Sequence, residues 1–173
     1  FKAARLFNMD EEYYFKVISE KTASLIAACC QCGAISTTDD EEIHQKMHDI
    51  GMCTGIAFQI RDDLFDYGVD DIGKPKRNDI QERKVTLPFI KALDNASLME
   101  KIRFRHLMRK RSKSKSEVDK IVNFVHNKGG MSYARSIMND YANQALEQLS
   151  TLPDSPERQS FEDLITFIIE RKK

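Results

Sequence analysis

Apolar residues recur at steps of three and four along almost the whole chain, the spacing that places side chains on one face of an α-helix. The breaks between these stretches are short, since only 7 Gly and 4 Pro occur in 173 residues. The pattern predicts no convincing strand, and it predicts helices at 10–36, 38–67, 86–93, 96–111, 114–128, 131–149 and from Pro156 onward. We therefore expect an all-α helical bundle that forms a single helical domain over residues 1–173.

Several of these helices begin with recognisable capping signals. Thr38 with Glu41, and Ser114 with Glu117, have the spacing of a capping box, in which a hydroxyl and a carboxylate bond to the first backbone N–H groups. Ser155 before Pro156 combines a favoured N-cap residue with a favoured first helical residue. These signals predict helix starts near residues 38, 114 and 155.

Two glycines lie inside the longest predicted helix. Gly51 and Gly55 are four positions apart and therefore share one face. A glycine inside a helix costs about 1 kcal/mol relative to alanine. A neighbouring helix that approaches closely at this face would explain both residues.

Charge and hydropathy exclude several classes of protein. Lys and Arg total 27, as do Asp and Glu, so the formal net charge is zero and no strong field for nucleic acid is expected. No apolar run approaches the ~20 residues that span a bilayer, and no secretory signal opens the chain, so we expect a soluble, cytosolic protein. The stretch 103–115 is basic, and we interpret it as a helix end rich in surface cations, since cations favour helix C-termini. A helical adaptor for nucleic acid or a membrane surface is the weaker alternative.

Two pairs of residues have the spacing of metal ligands without a complete set. Cys29 and Cys32 form one CxxC, but no second CxxC is present, and Cys30 and Cys53 complete the cysteine count of 4. His44 and His48 are one helical turn apart and lack an evident third ligand. We interpret the cysteines as partly buried helix residues and the histidines as part of a solvated helix face.

Three carboxylates are crowded into five residues at the end of the longest predicted helix. Asp62, Asp63 and Asp66 lie among apolar neighbours, and Asp62 and Asp66 are one turn apart on the same face. Three like charges repel, and a hard cation such as Mg²⁺ relieves that repulsion, because it binds one or two carboxylates together with waters and phosphate oxygens. A solvated acidic patch is the alternative interpretation of these three residues alone.

The residues that follow favour the metal. A charged loop at 69–83 contains Gly73, Lys74 and Pro75, and Lys84 follows it. Lysines downstream of an acidic cluster suit a polyphosphate, with Mg²⁺ on the carboxylates and ammonium groups on the remaining oxygens. The combination predicts a site for a diphosphate and Mg²⁺.

Four motifs in order resemble one family. FQxxDDxxD at 58–66, GKPxxxD at 73–79, KVTLP at 84–88 and the Lys21–Thr22 pair resemble the second aspartate-rich region of trans-isoprenyl diphosphate synthases, the head-to-tail polyprenyl synthases. The resemblance is strong over 21–93 and beyond that rests on helical character. It implies the C-terminal portion of the α-helical isoprenoid synthase fold.

The resemblance also implies a reaction, in which an allylic diphosphate ionises, isopentenyl diphosphate attacks the cation and a proton is lost. It assigns Mg²⁺ to Asp62, Asp63 and Asp66, and catalytic roles to Lys21, Thr22, Gln59 and Lys74. Lys21 and Lys74 would bind the allylic diphosphate, Thr22 and Gln59 would steady the reacting carbons, and Phe58 would line the cavity. Lys84 is expected to contact substrate as well.

The family carries a first aspartate-rich motif ahead of its lysine–threonine pair, and the residues before Lys21 form no such motif. We expect the chain to correspond to the C-terminal half of a synthase and to be inactive by itself. A non-catalytic partner subunit of a prenyl synthase is the alternative, whereas a terpene cyclase fits GKPxxxD and KVTLP poorly. Dimerisation is typical of the family, so a homodimer or self-association is expected.

Overall fold

The computed structural model describes residues 10–68 and 78–171, and within these ranges the chain is helical with no β-strand. The α-helices are α1 Glu11–Ile18, α2 Ser24–Ile35, α3 Glu41–Phe65, α4 Asn78–Gln81, α5 Leu87–Asp94, α6 Leu98–Arg109, α7 Lys115–Asn127, α8 Gly130–Ser150 and α9 Pro156–Glu170. The all-α prediction is confirmed. No helix in the described ranges combines the length and the apolar character needed to cross a membrane.

The helices form two compact units. The first contains the described residues of 1–14 and 62–135, and the second contains 15–61 with the described residues from 136 onward. In the first unit the rings of Phe104 and Phe124 stack with centroids 3.8 Å apart. In the second unit the core includes Ile50, Leu149 and Ile165, each at most 1% exposed. The single-domain assignment stays a prediction.

The first predicted helix is interrupted at its centre. A π-helical turn, Ser19–Ala23, separates α1 from α2, and the backbone N–H of Ser24 bonds the carbonyl of Ser19, five residues earlier. The prediction of one continuous α-helix over 10–36 was therefore wrong at this point. π-turns inside helices are frequent at functional sites, and this one contains Lys21 and Thr22.

Helix capping agrees with the sequence at two predicted sites and differs at one. Ser114 and Glu117 form a full capping box at α7, and the hydroxyl of Ser155 accepts from the backbone N–H of Arg158 at α9. At α3 the predicted cap Thr38 was wrong, because the Asp40 carboxylate accepts from the N–H of Glu42 at 2.9 Å. A carboxylate directly before the helix also suits the positive end of the helix dipole.

The end of α3 differs from its predicted end at Tyr67. The α-helix ends at Phe65, and the next three residues each bond a carbonyl three positions back, beginning with Asp66 N–H to Asp63 at 3.3 Å. The stretch 69–83, predicted as a loop, contains the short helix α4. Residues 69–77, including Lys74, lie outside the described residues.

The prediction that Gly51 and Gly55 permit a close helix approach is confirmed within the second unit. A Cβ on Gly51 would lie 2.7 Å from Cα of Ala27, and a Cβ on Gly55 would lie 2.6 Å from Cα of Ala23. Real Cβ atoms do not approach backbone this closely, so any larger side chain would force the helices apart. α3 therefore lies directly against α2 and the π-turn.

The basic stretch 103–115 is not uniformly a solvated surface. Most of its cations are exposed, but the side chain of Lys113 is only 5% exposed and its ammonium donates to two backbone carbonyls. The interpretation of 103–115 as a helix end rich in surface cations was wrong at this position. Sequence spacing did not distinguish Lys113 from its exposed neighbours, since the residues that bury it are distant in the chain.

Candidate functional site

The three carboxylates at the end of α3 differ in their exposure to solvent. Asp62 is partly exposed, whereas Asp63 and Asp66 are 4% and 7% exposed. An ion arriving from solvent can therefore reach Asp62 more readily than the other two. Burying a carboxylate is costly unless hydrogen bonds compensate, so the partners of Asp63 and Asp66 matter.

Asp63 is held by a tyrosine from α1. The hydroxyl of Tyr14 donates to Oδ2 of Asp63 at 2.7 Å, and Tyr14 is only 1% exposed. Burial raises the pKa of Tyr14, and the negative charge and hydrogen bond of Asp63 raise it further. The phenol therefore stays protonated and remains a donor to the carboxylate.

Asp66 is tied to the short helix α4. Its Oδ2 accepts from the backbone N–H of Asp79 at 2.5 Å. The backbone N–H of Lys84 in turn bonds the carbonyl of Asp79 at 2.8 Å. These two bonds connect the end of α3, the α4 turn and the start of the KVTLP motif.

Lys84 is charged and partly accessible. Its ammonium lies 2.7 Å from Oδ1 of Asp79 and 3.0 Å from Glu82, and its side chain is 49% exposed. Burial acts to lower the pKa of Lys84, but the hydrogen bonds to Asp79 and Glu82 outweigh burial and raise it. The first unit therefore has a partly exposed cation next to Asp79, whose backbone N–H bonds to Asp66.

A buried pair of hydroxyl groups lies close to Asp63 and Asp66. The hydroxyls of Tyr67 and Thr86 share a hydrogen bond of 3.1 Å, and both residues are buried. A ring nitrogen of His126 donates to the carbonyl of Tyr67 at 2.9 Å. Burial raises the pKa of Tyr67, so its hydroxyl stays neutral beside the carboxylates.

In the second unit the structure brings two predicted site residues together. The hydroxyl of Thr22 donates to Oε1 of Gln59 at 3.0 Å. This bond follows from the glycine contact, because Gly55 approaches Ala23, the neighbour of Thr22, and Gln59 lies one turn after Gly55. The side chain of Lys21 is exposed, and the guanidinium of Arg171 lies 4.5 Å from the ring centre of Phe58.

The sequence matches the family described as polyprenyl synthetase over residues 2–125. The chain belongs to this family. Its resemblance to trans-isoprenyl diphosphate synthases, stated from four motifs, is thereby confirmed.

Individual relatives agree with the family match. A short chain isoprenyl diphosphate synthase of Methanothermobacter thermautotrophicus is 35% identical over 167 residues, which cover 95% of this chain and 51% of the relative. The crystal structure of a decaprenyl diphosphate synthase from Rhodobacter capsulatus is similar with a TM-score of 0.90 and 33% identity, over 98% of this chain and 53% of that one.

A third relative was crystallised with ligands. A polyprenyl synthase from Caulobacter crescentus CB15, complexed with calcium and isoprenyl diphosphate, has a TM-score of 0.88 and 26% identity, over 99% of this chain and 55% of that one. The chain thus spans about half the length of the relatives that it matches.

The described residues of this polyprenyl synthetase chain contain no group of three His, Cys, Asp or Glu side chains arranged to hold a metal ion. His44 contacts the carbonyl of Thr38 at 2.7 Å and His48 contacts Asp49 at 3.2 Å, so each has a local partner. The assignment of Asp62, Asp63 and Asp66 to a metal stays a prediction, as do the roles of Lys21, Thr22, Phe58, Gln59, Lys74 and Lys84.

Sequence reasoning did not find Tyr14, Thr86, His126 or Lys113. Tyr14 lies 49 positions before Asp63, and no local periodicity links residues so far apart. Asp79 was visible as the last residue of GKPxxxD, but its contribution is a backbone N–H, which no side-chain motif reveals. Tyr14 bonds directly to a carboxylate. Thr86 and His126 bond to Tyr67, and Lys113 bonds to the backbone of Ile80. Only the fold brings these groups close to their partners.

We expect Tyr14→Phe to lower the free energy of unfolding by about 2 kcal/mol, because a hydrogen bond to a buried charged group contributes about 1.5–3 kcal/mol. Tyr133→Phe is the matched control, since the hydroxyl of Tyr133 donates to Glu11 at 2.6 Å from a less buried position. Urea denaturation followed by circular dichroism measures both. Equal losses for the two variants would contradict the importance of burial at Asp63.

Proposed function

We propose that the protein to which this chain belongs is a Mg²⁺-dependent, head-to-tail prenyltransferase. An allylic diphosphate loses its diphosphate by cleavage of the C–O bond, and the double bond of isopentenyl diphosphate attacks the resulting cation. A new C–C bond forms and a proton leaves the adduct. The observation that carries the proposal is the family match over residues 2–125, which includes the acidic end of α3.

The carboxylates at the end of α3 suit a hard cation such as Mg²⁺. Mg²⁺ uses only one or two protein carboxylates and completes its octahedron with waters and substrate phosphates. Asp62 is the partly exposed carboxylate, while the buried Asp63 and Asp66 bond to Tyr14 and to the backbone of Asp79. We propose Asp62 as the principal ligand, with Asp63 and Asp66 supporting it. When bound, the metal would neutralise the charge that develops on the departing diphosphate.

Lysines supply further positive charge. Lys84 holds its ammonium beside Asp79 and Glu82 and is half exposed, so a diphosphate can compete for it. We propose that Lys84 and the exposed Lys21 contact diphosphate oxygens, together with Lys74. Ammonium groups bind phosphates as point charges and do not require a fixed fork geometry.

Thr22 and Gln59 act as a pair. Because the Thr22 hydroxyl donates to Oε1 of Gln59, the orientation of the Gln59 amide is set by the π-turn. An amide held in this way is preorganised, and groups that are already oriented cost no reorganisation during reaction. We propose that the pair steadies the reacting carbons and that Phe58 lines the cavity.

The test is isothermal titration of this chain with inorganic diphosphate, with and without Mg²⁺. Binding that requires Mg²⁺ and is abolished by EDTA is the expected result. Diphosphate affinity that is the same without the metal would contradict the proposed metal site. An allylic diphosphate in place of inorganic diphosphate then measures the contribution of the hydrocarbon.

We also propose that the chain self-associates and that it is located in a reducing compartment. Apolar side chains are exposed on three helices: Leu25 and Ile35 on α2, Leu98, Met99 and Ile102 on α6, and Leu164 and Phe167 on α9. Such surfaces favour pairing with a second copy, which sedimentation velocity would detect.

All four cysteines are free thiols, which suits a cytoplasmic location.

A further inference from the structure

Two side chains from other parts of the chain bond to the short helix α4. Its second residue Asp79 donates its backbone N–H to the carboxylate of Asp66. The carbonyl of its third residue, Ile80, accepts from the ammonium of Lys113 at 2.7 Å. A helix of four residues has little intrinsic stability, because forming the first turn is unfavourable. Its position therefore depends on these tertiary contacts.

Lys113 forms further hydrogen bonds in this part of the structure. Its ammonium also donates to the carbonyl of Lys110 at 3.0 Å, and its own carbonyl accepts from Nε2 of Gln81 at 3.1 Å. The segment between α6 and α7 is thus bonded to α4 in both directions. The side chain is 5% exposed, so these bonds are largely protected from competing water.

A buried ammonium in this setting is unusual, because charged side chains are seldom fully buried without an ionic partner. Burial lowers the pKa of Lys113 to about 8, Arg83 lowers it as well, and Glu117 acts to raise it. The group is therefore still charged at neutral pH, and hydrogen bonds from a charged donor are stronger than those from a neutral one.

We infer that Lys113 is a positioning residue. Through its bond to the α4 turn it fixes the position of Asp79, whose backbone N–H bonds to Asp66 and whose carboxylate bonds to Lys84. The chain of contacts is continuous: Lys113 to Ile80, then the adjoining Asp79, then Asp66 on one side and Lys84 on the other. Lys113 need not touch a substrate. Its effect on diphosphate binding rests on the proposed function, whereas its effect on the Asp79 amide does not.

The experiment compares wild type with Lys113→Met, which keeps a long apolar stem and removes the ammonium. Lys115→Met is the control, since Lys115 is an exposed lysine two positions away. Amide hydrogen exchange by NMR is the first readout. We expect amide exchange at Asp79 to become about tenfold faster in Lys113→Met, which corresponds to a loss of about 1.4 kcal/mol of local protection. The exchange rate of the same amide should be unchanged in Lys115→Met.

Amides inside α7 report on general unfolding. If they exchange faster to the same degree as Asp79, Lys113 is only a stability residue and the inference is overturned. Unchanged exchange at Asp79 overturns it as well. A change confined to the α4 turn supports it, and so does a shift of the Asp79 amide resonance away from its carboxylate-bonded position.

Titration with inorganic diphosphate and Mg²⁺ is the second readout. We expect Lys113→Met to weaken binding about tenfold, as for the loss of about 1.4 kcal/mol, and Lys115→Met to stay within about twofold of wild type. Equal affinity of Lys113→Met and wild type overturns the link to binding. If wild type itself does not bind diphosphate, the proposed function fails, and the exchange result alone decides the role of Lys113.

Discussion

Asp62→Asn is expected to weaken Mg²⁺-dependent diphosphate binding by at least about 100-fold, because mutation of a mere hydrogen-bond partner of a metal ligand already costs about 10–100-fold. The substitution keeps the shape of the side chain and removes one negative charge. Because Asp62 is the partly exposed member of the acidic cluster, the free energy of unfolding should change little. Isothermal titration measures affinity, and thermal denaturation of the same sample measures stability.

Asp63→Asn is the informative comparison. Asp63 is 4% exposed and bonded to Tyr14, so its substitution should lower stability more than that of Asp62. Asp140→Asn, at an exposed position of α8, controls for the loss of one charge. Full diphosphate affinity in Asp62→Asn would exclude it as the principal ligand, and a selective loss in Asp63→Asn would transfer that role to Asp63.

Gly55→Ala is expected to destabilise the protein by about 3 kcal/mol, at the upper end of the usual cost of overpacking a core. The added Cβ would meet Cα of Ala23 at 2.6 Å, and backbone cannot rotate away as a side chain can. The helices would have to separate, which would also lengthen the bond between Thr22 and Gln59. For a chain of this size the melting temperature should fall by roughly 10 °C.

Gly33→Ala is the matched control for this substitution. Gly33 lies inside α2, and an added Cβ would meet nothing within 4 Å. Alanine favours a helix interior over glycine by about 1 kcal/mol, so this variant should be slightly more stable than wild type. Two glycine-to-alanine changes should therefore shift the melting temperature in opposite directions. If Gly55→Ala also stabilises, the close approach of α3 is not as described.

The sequence predicted the secondary structure because helices depend on local patterns. The apolar spacing predicted α3 and α5 to α9 to within a few residues, and the capping signals at Ser114 and Ser155 were confirmed. The family could also be recognised, since its motifs are short and ordered. Even the unusual pair Gly51 and Gly55 indicated a helix contact, because glycine inside a helix needs a reason.

Tertiary structure decided what each charged residue contributes. Burial depends on residues distant in the chain, so spacing could not show that Asp63 and Lys113 are buried while Asp62 and Lys115 are accessible. The π-turn at Lys21 and Thr22 was equally hidden, because its residues are compatible with an α-helix. Hydrogen bonds such as Tyr14 to Asp63 join positions 49 apart, and only the packing of helices brings such partners within reach.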